Sequence, residues 1–422
     1  MGGDVPRTTI PNVDVLTAAR YRIATAFDNF EKYCVSFSAG KDSTVLLHMV
    51  MEEAIKRGKK VAVLLIDLEA QYAATVALGE SLFEQYRDHI EPYWVALPIH
   101  LRNAVSVYEP FWECWDPDAE DAWVRTPPKI AITDPDRFPF FHRGMEFEEF
   151  VPEFAEWYAD GSPTAFFVGI RTQESYNRYL TIASEHKSMW DGHRFTTGVT
   201  SGSDSFNFYP LYDWLSEDIW TFHATHPDLA YNQIYDLMQR AGVPLGNQRL
   251  CQPYGDDQKR GLWLFHLLEP QTWGKVVARV NGANHGAMYA TEHGNINGYR
   301  SISKPDHLTW QQFAYRLVAS MPKPARDHYT NKIGVHIRWW KDRGYPNGLP
   351  DEGDYDLEIA KKIPSWRRVC KTLLRNDYWC KGLGFTQTKS AAYQQYLDLM
   401  ARRRAEAAAL KLAESNKQSA LL

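Results

Sequence analysis

Apolar positions along the chain switch between two spacings, and the order of the switches predicts the architecture. Val13 to Phe30 puts Val15, Leu16, Ala19, Ile23 and Phe27 on one side of a helix. Tyr33-Cys34-Val35-Ser36-Phe37 is a short continuous apolar run, as in strands buried on both faces. Ser43 to Met51 returns to helical spacing, and Gly58 suits the stop. Lys60 to Ile66 is a second run of β-formers, closed by Asp67. Gln71 to Tyr86 reads as a helix, Glu91 to Pro98 as a third strand, Thr164 to Arg171 as a fourth, and Asn232 to Arg240 as a further helix. Alternation of this kind predicts an α/β fold with a doubly wound parallel sheet.

Two stretches depart from that rhythm. Residues 108–163 interleave Pro110, Pro117, Pro127, Pro128, Pro135, Pro139 and Pro152 with Trp112, Trp115, Trp123 and Trp157, an insertion that serves either as a lid or as a packed ornament. Past Pro244, residues 308–343 and 364–411 read as helices, and Ser216 is the N-cap candidate for a helix after Trp214. The expected division is a nucleotide-type domain over 1–245 and a mainly helical C-terminal lobe over 246–422.

Composition adds little to this until charge is mapped. A hydrophobic content of 44% and a charged content of 23% are those of a soluble globular chain, and no apolar run reaches 18 residues. Met1 to Arg7 lacks the apolar core of a signal peptide, so no membrane association and a cytoplasmic location are expected. Five cysteines with no C-x-x-C pair argue against a disulfide framework or a zinc ribbon, and His223 with His226 lacks a third ligand. Net charge is −5, but residues 361–422 hold thirteen Lys and Arg against four acids, leaving −14 for residues 1–360. Lys371, Arg375, Lys381, Lys389 and Arg402 to Arg404 accompany Trp366, Tyr378, Trp379 and Tyr393. Such a block suits nucleic acid, or docks on the acidic lobe of its own chain.

The densest chemistry is Ser36-Phe37-Ser38-Ala39-Gly40-Lys41-Asp42-Ser43-Thr44, a small-residue turn from strand to helix. Helix N-terminal amides and the Lys41 charge would converge there on an oxyanion. Asp42 after Lys41 excludes a Walker A loop. The string resembles the Ser-Gly-Gly-x-Asp-Ser loop of the PP-loop ATP pyrophosphatases, in their phosphoadenosine phosphosulfate (PAPS) reductase branch, with Ala39 where that family has its first Gly. Gly169, Arg171, Glu174 and Ser175 match the family's Gly-x-Arg-x-x-Glu-Ser motif. Phe206 to Trp220 resembles its Pro-Leu-x-x-Trp-x-x-x-Asp-Ile-Trp segment. Arg249 to Trp263, Leu268 to Trp273, Ala278 to Asn284 and Arg375 to Leu383 are similar to the immunoglobulin-binding regulator A group of bacteria and phages.

These resemblances imply ATP with Mg²⁺. Ser38, Ala39, Gly40, Lys41, Asp42 and Ser43 would cradle phosphates, Asp67 and Asp42 would hold metal or orient the nucleotide, and Arg171, with Gly169 and Glu174, would clamp the distal phosphate. Asp67 and the Arg171–Glu174 pair are equally open to structural readings. Arg249, Gln252, Gln258, Lys259 and Arg260 either complete the triphosphate site or form a solvated turn. The implied activity is cleavage of ATP between its α and β phosphates to adenylate an acceptor, with a ParB-like protein or nucleic acid as partner. The rivals are a PAPS reductase or sulfurtransferase, against which the missing Glu-Cys-Gly-Leu-His tail counts, and a non-catalytic nucleotide-sensing DNA-binding regulator.

Overall fold

The computed structural model describes residues 12–385 apart from 107, 186, 201–203, 246–247, 251–253, 256–261 and 284–301. The first helix, α1 (Val15–Asn29), starts where the Asp14 carboxylate accepts the Thr17 amide at 2.9 Å. Then follow β1 (Lys32–Ser36), α2 (Lys41–Arg57), β2 (Val61–Ile66), α3 (Ala73–Gln85) and β3 (Ile90–Val95). Gly58 ends α2 in the left-handed region at φ 62°. The insertion contributes the hairpin β4 (His100–Arg102) and β5 (Phe111–Glu113) and the helix α4 (Phe147–Ala159). The chain continues with β6 (Thr164–Val168), α5 (Tyr176–Ala183), β7 (Thr196–Gly198), β8 (Phe206–Phe208), α6 (Ser216–Thr225), α7 (Ile234–Arg240), α8 (Leu262–Leu268) and α9 (Pro270–Arg279).

The main sheet runs β3-β2-β1-β6-β8-β7. All its pairings are parallel except β7 with β8 at the edge, so the expected doubly wound sheet carries one antiparallel strand. Strand residues alternate between two cores. Tyr33, Val35, Val63 and Phe167 face α1, α2 and α3, whereas Cys34, Ala62 and Phe166 face α4 and α7. Both faces are covered, which is why these strands read as unbroken apolar runs.

Trp112, Trp115, Phe138, Phe150 and Phe154 belong to the second of these cores, so the insertion is a packed ornament and not a lid. Leu264, Phe265, Trp273 and Val276 join the same core, which therefore extends past the expected boundary at 245. A third core serves the C-terminal helices α10 (Trp310–Ala319), α11 (Lys323–Lys341) and α13 (Trp366–Leu374), with the short α12 (Tyr355–Ile359) lying between the last two in sequence. The helical stretch expected over 308–343 is split, because Pro322 ends one helix register and Lys323-Pro324 opens the next. Of the stretch expected over 364–411, the described helix ends at Leu374, after which Asn376 and Cys380 take φ of 48° and 54°, and residues 386–411 lie outside the described residues. Leu215, not Ser216, caps α6, with the Asp218 carboxylate on the Leu215 amide at 2.7 Å. Among the described residues no helix is long and apolar enough to cross a membrane.

One buried ion pair ties the first helix to the segment after the sheet. Arg22 on α1 donates from Nη1 and Nη2 to the Asp213 carboxylate at 2.8 and 2.7 Å, and to the Pro210 carbonyl at 2.7 Å. Both side chains are almost wholly buried. Removing one partner strands the other in a dry site. Arg22→Met is therefore expected to cost about 3 kcal/mol of stability, with much of it restored in Arg22→Met/Asp213→Leu, as read from denaturant midpoints of the folded chain.

Candidate functional site at the switch of the sheet

Strand β1 lies between β2 and β6, so the connections leave it in opposite directions and the topological switch falls between β1 and β6. In open α/β sheets that crevice, at the carboxyl ends of the strands, is where ligands bind. Two loops meet here, residues 37–40 after β1 and residues 169–175 after β6.

The first loop is tied down from three sides. The Phe37 amide donates to the Leu64 carbonyl at 2.8 Å, continuing the sheet by one bond. The Ala39 carbonyl accepts Asn232 Nδ2 at 2.9 Å, and the Lys41 amide donates to Tyr235 Oη at 3.1 Å. Within the loop, Ser38 Oγ and Ser43 Oγ lie 3.0 Å apart, and Ser43 Oγ also donates to the Gly40 carbonyl at 3.2 Å. Ala39 sits at φ 53°, the left-handed conformation that an alanine adopts only at a cost. Gly40 is the N-cap of α2; a Cβ on it would lie 3.3 Å from Ser38 Oγ. The first-turn amides of α2 have no carbonyl partner within the helix and point with its dipole toward the crevice.

The second loop approaches that helix end closely. A Cβ at Gly169 would lie 3.3 Å from the Ser43 amide nitrogen, so glycine is what lets the two loops meet. Arg171 follows, almost fully buried, with Nε on Asp42 Oδ1 at 2.5 Å and Nη1 on Gln173 Oε1 at 3.1 Å. Its own amide donates to Glu174 Oε2 at 3.2 Å. The other Asp42 oxygen accepts Lys41 Nζ at 2.9 Å. Lys41, Asp42 and Arg171 thus form a chain of two cations about one carboxylate. Burial pulls the Lys41 pKa below its usual value, while Asp42 opposes the shift.

Ser38, Ala39, Gly40, Lys41, Asp42, Ser43, Gly169, Arg171 and Glu174 are therefore gathered in one place, but two expected roles change. Arg171 is engaged by Asp42 and Gln173, which makes it the support of the helix end and not a free phosphate clamp. Asp67 stands apart and is fully buried: its carboxylate accepts Trp94 Nε1 at 2.8 Å, the Glu69 amide at 3.0 Å and the Arg125 guanidinium. Neither Asp67 nor Asp42, with its oxygens on Lys41 and Arg171, offers an open face to a metal. Among the described residues no three His, Cys, Asp or Glu converge as metal ligands.

Sequence reasoning missed Tyr235, Asn232 and Glu69. Glu69, buried at φ 65°, accepts the Trp115 amide at 2.7 Å, the Val124 amide at 3.0 Å and Arg279 Nε at 3.2 Å, joining the insertion to α9. Nothing in the sequence marked Tyr235. Arg249 donates to the Glu174 carbonyl at 2.7 Å, whereas Cys251, Gln252, Gln258, Lys259 and Arg260 lie outside the described residues. Lys389, Tyr393 and Arg402 to Arg404 also lie outside them. The other aromatics of the basic block are packing residues: Trp366 and Trp379 are buried, and Tyr378 stacks on His328 at 3.9 Å.

The fold and loop pair define an α/β protein with a strand–turn–helix cradle at the switch point. The chain belongs to the family of the "Uncharacterized protein YbdN" of Escherichia coli (strain K12), to which it is 47% identical over 395 residues, 93% of this chain and 96% of that protein. The model for the Domain of unknown function (DUF3440) matches residues 242–352 and 347–394. A phosphoadenylyl-sulfate (PAPS) reductase from Candida auris, solved as a phosphate complex, is 15% identical with a TM-score of 0.30, over 55% of this chain and 88% of that one. The U34-tRNA thiolase NcsA from Methanococcus maripaludis, solved with its 4Fe-4S cluster, is 12% identical with a TM-score of 0.29, over 65% and 80%. The fold assignment rests on the sheet order of this chain.

Two outcomes test the local physics. Ala39→Gly relieves the left-handed strain and is expected to raise stability by up to about 1 kcal/mol, whereas Gly169→Ala lowers it, both read from denaturant midpoints. Burial among Trp220 and Tyr231 holds His223 down at about 4, and His336 is likewise held at about 4. The unfolded chain takes up those protons near pH 6.5 while the folded chain resists until about 4, so stability falls as pH drops through that window. His223→Phe should flatten the fall in a melting series between pH 7 and pH 4.

Proposed function

We propose that the chain binds ATP at the switch-point cradle and cleaves it between the α and β phosphates, transferring the adenylyl group to an acceptor oxygen. The observation that carries this reading is the meeting of the 37–40 and 169–175 loops at the β1–β6 switch, where Lys41, the Ser38–Ser43 hydroxyl pair and the first turn of α2 lie together. The acceptor oxygen forms a bond to the α phosphorus, the bond to the bridging oxygen breaks, and its electron pair leaves with pyrophosphate. The acceptor's proton passes to solvent. The α2 amides and Lys41 meet the negative charge that develops on the leaving group, which is where preorganised donors accelerate a reaction. Mg²⁺ finds no fitting protein ligand set in Asp42 and Asp67, so no step is routed through it.

Reductase or sulfurtransferase chemistry has less support. Cys34, Cys114, Cys370 and Cys380 are buried, and burial raises every one of their thiol pKa values, those of Cys370 and Cys380 to about 12. Cys251 lies outside the described residues. The non-catalytic reading has two observations in its favour: Ala39 already strains the cradle, and Asp42 already neutralises one of its cations. A ParB-like protein or a nucleic acid as acceptor-bearing partner belongs to this proposal, as does action in the cytoplasm.

Incubation with α-labelled ATP, alone and with DNA, RNA or a ParB-like protein, tests it. Wild-type chain is expected to release pyrophosphate, and Lys41→Ala to reduce release at least a hundredfold while melting at an unchanged temperature. Nucleotide bound but never cleaved under any of these conditions favours the sensor. Equal release by a folded Lys41→Ala chain removes the assignment.

A further inference from the structure

The helical lobe carries its own cleft, of about 290 Å³, apart from the switch point and within the segment common to the DUF3440 model. Helix α13 builds one wall. Trp366, Val369, Cys370 and Leu373 bury one stripe of it, which leaves Arg368, Lys371 and Arg375, at spacings of three and four, along the cleft. The rest of the lining includes the apolar and aromatic Ile302, Trp310, Tyr355 and Ile359, with the Arg367 guanidinium 5.8 Å from the centre of the Tyr355 ring. Tyr355 and Ile359 are exposed.

Cationic side chains outnumber carboxylates along the cleft. Its lining has five cationic side chains and two carboxylates, and both carboxylates are already engaged in the wall. Glu358 accepts the Gly353 amide at 2.7 Å and Arg367 Nε at 2.9 Å. Asp377 accepts the amides of Lys381 and Gly382 at 3.1 and 2.7 Å. Arg368, almost buried, reaches only carbonyls, those of Ile363 and Gly382. Among the described residues the Lys371 ammonium makes no hydrogen bond or ion pair. Partial burial and the neighbouring Arg375 lower the Lys371 pKa, while Glu358 opposes the shift.

We propose that this cleft binds one nucleoside phosphate unit, with its phosphoryl group against Arg368, Lys371 and Arg375 and its base against Tyr355 and Ile359. A bare anion would use only the cationic wall, whereas a nucleotide also uses the aromatic lining. The volume is at the small end for ligand sites and admits one nucleotide, not a duplex. That unit comes either as a free mononucleotide or as one residue of a single strand, and this site is independent of the cradle at the β1–β6 switch.

Hydrogen exchange on the full chain separates the two sites, because peptides over 355–375 and over 36–47 report independently. With 5′-AMP, protection is expected at 355–375, and with inorganic phosphate much less. By calorimetry in a Lys41→Ala background, Lys371→Gln and Tyr355→Ala should each weaken 5′-AMP about tenfold while both variants keep the parent melting temperature. A short single-stranded oligonucleotide that binds this cleft more than tenfold tighter than 5′-AMP, with steep salt dependence, identifies the strand as the source; equal affinity identifies the free nucleotide. Absence of protection at 355–375 with millimolar 5′-AMP and with the oligonucleotide, or phosphate binding as tightly as 5′-AMP, overturns the proposal.

Discussion

Everything at the candidate site depends on one packing constraint, the contact of the loop after β6 with the first turn of α2. Parallel pairing of β1 with β6, in register from Lys32 with Thr164 to Ser36 with Val168, delivers both loops to the same edge. Gly169 then lets the backbones approach to a distance that a methyl group would contest. Only at that separation does Arg171 reach Asp42 across the crevice. The contact thus converts a topological fact, the reversal of strand order, into an electrostatic one: a helix end whose acid is held in place and whose lysine is fixed by that acid.

The same logic explains why the chain keeps so many buried charges. Arg22–Asp213, Arg171–Asp42 and Arg279–Glu69 each connect elements far apart in sequence. A buried pair seldom adds net stability, since desolvation offsets most of the attraction. What each does here is fix a register between segments that hydrophobic packing alone leaves free to slide. Asp67 illustrates the difference between location and role. It stands at the carboxyl end of β2, where ligands bind in such sheets, yet three donors from three different segments saturate it. Its work is to hold the insertion against the sheet.

The strands and the cradle were legible in the sequence because their signals are local. A run such as Val61–Ile66 has one reading when both its faces are covered, and small residues between a strand and a helix leave few alternatives. Gly169 and Arg171 were found by motif, but not what they do, because roles are settled by contacts across 130 residues that no local pattern records. Tyr235 and Asn232 are silent in sequence for the same reason. The aromatics of the basic block were open to stacking or packing, and the fold buries Trp366 and Trp379 as core. Spacing alone cannot tell an aromatic that faces a base from one that faces a leucine.

Helix α7 gives the cradle its remaining constraint. Asn232, just ahead of that helix, holds the Ala39 carbonyl, and Tyr235, within it, accepts the Lys41 amide, so the loop is fastened to a segment that precedes the undescribed 256–261 stretch. An anion seated in the loop competes with Tyr235 Oη for the Lys41 amide, since one N–H makes one strong bond. The Tyr235 ring also lies 5.7 Å from Lys41 Nζ, so a shift of this hydroxyl changes the setting of the charge as well. The loop is therefore fastened to α7 and to the residue ahead of it. Met238 and Ile234 on α7 are buried in the same core as Phe265 and Trp273 of α8 and α9, which ties that fastening to the segment the chain shares with the DUF3440 model.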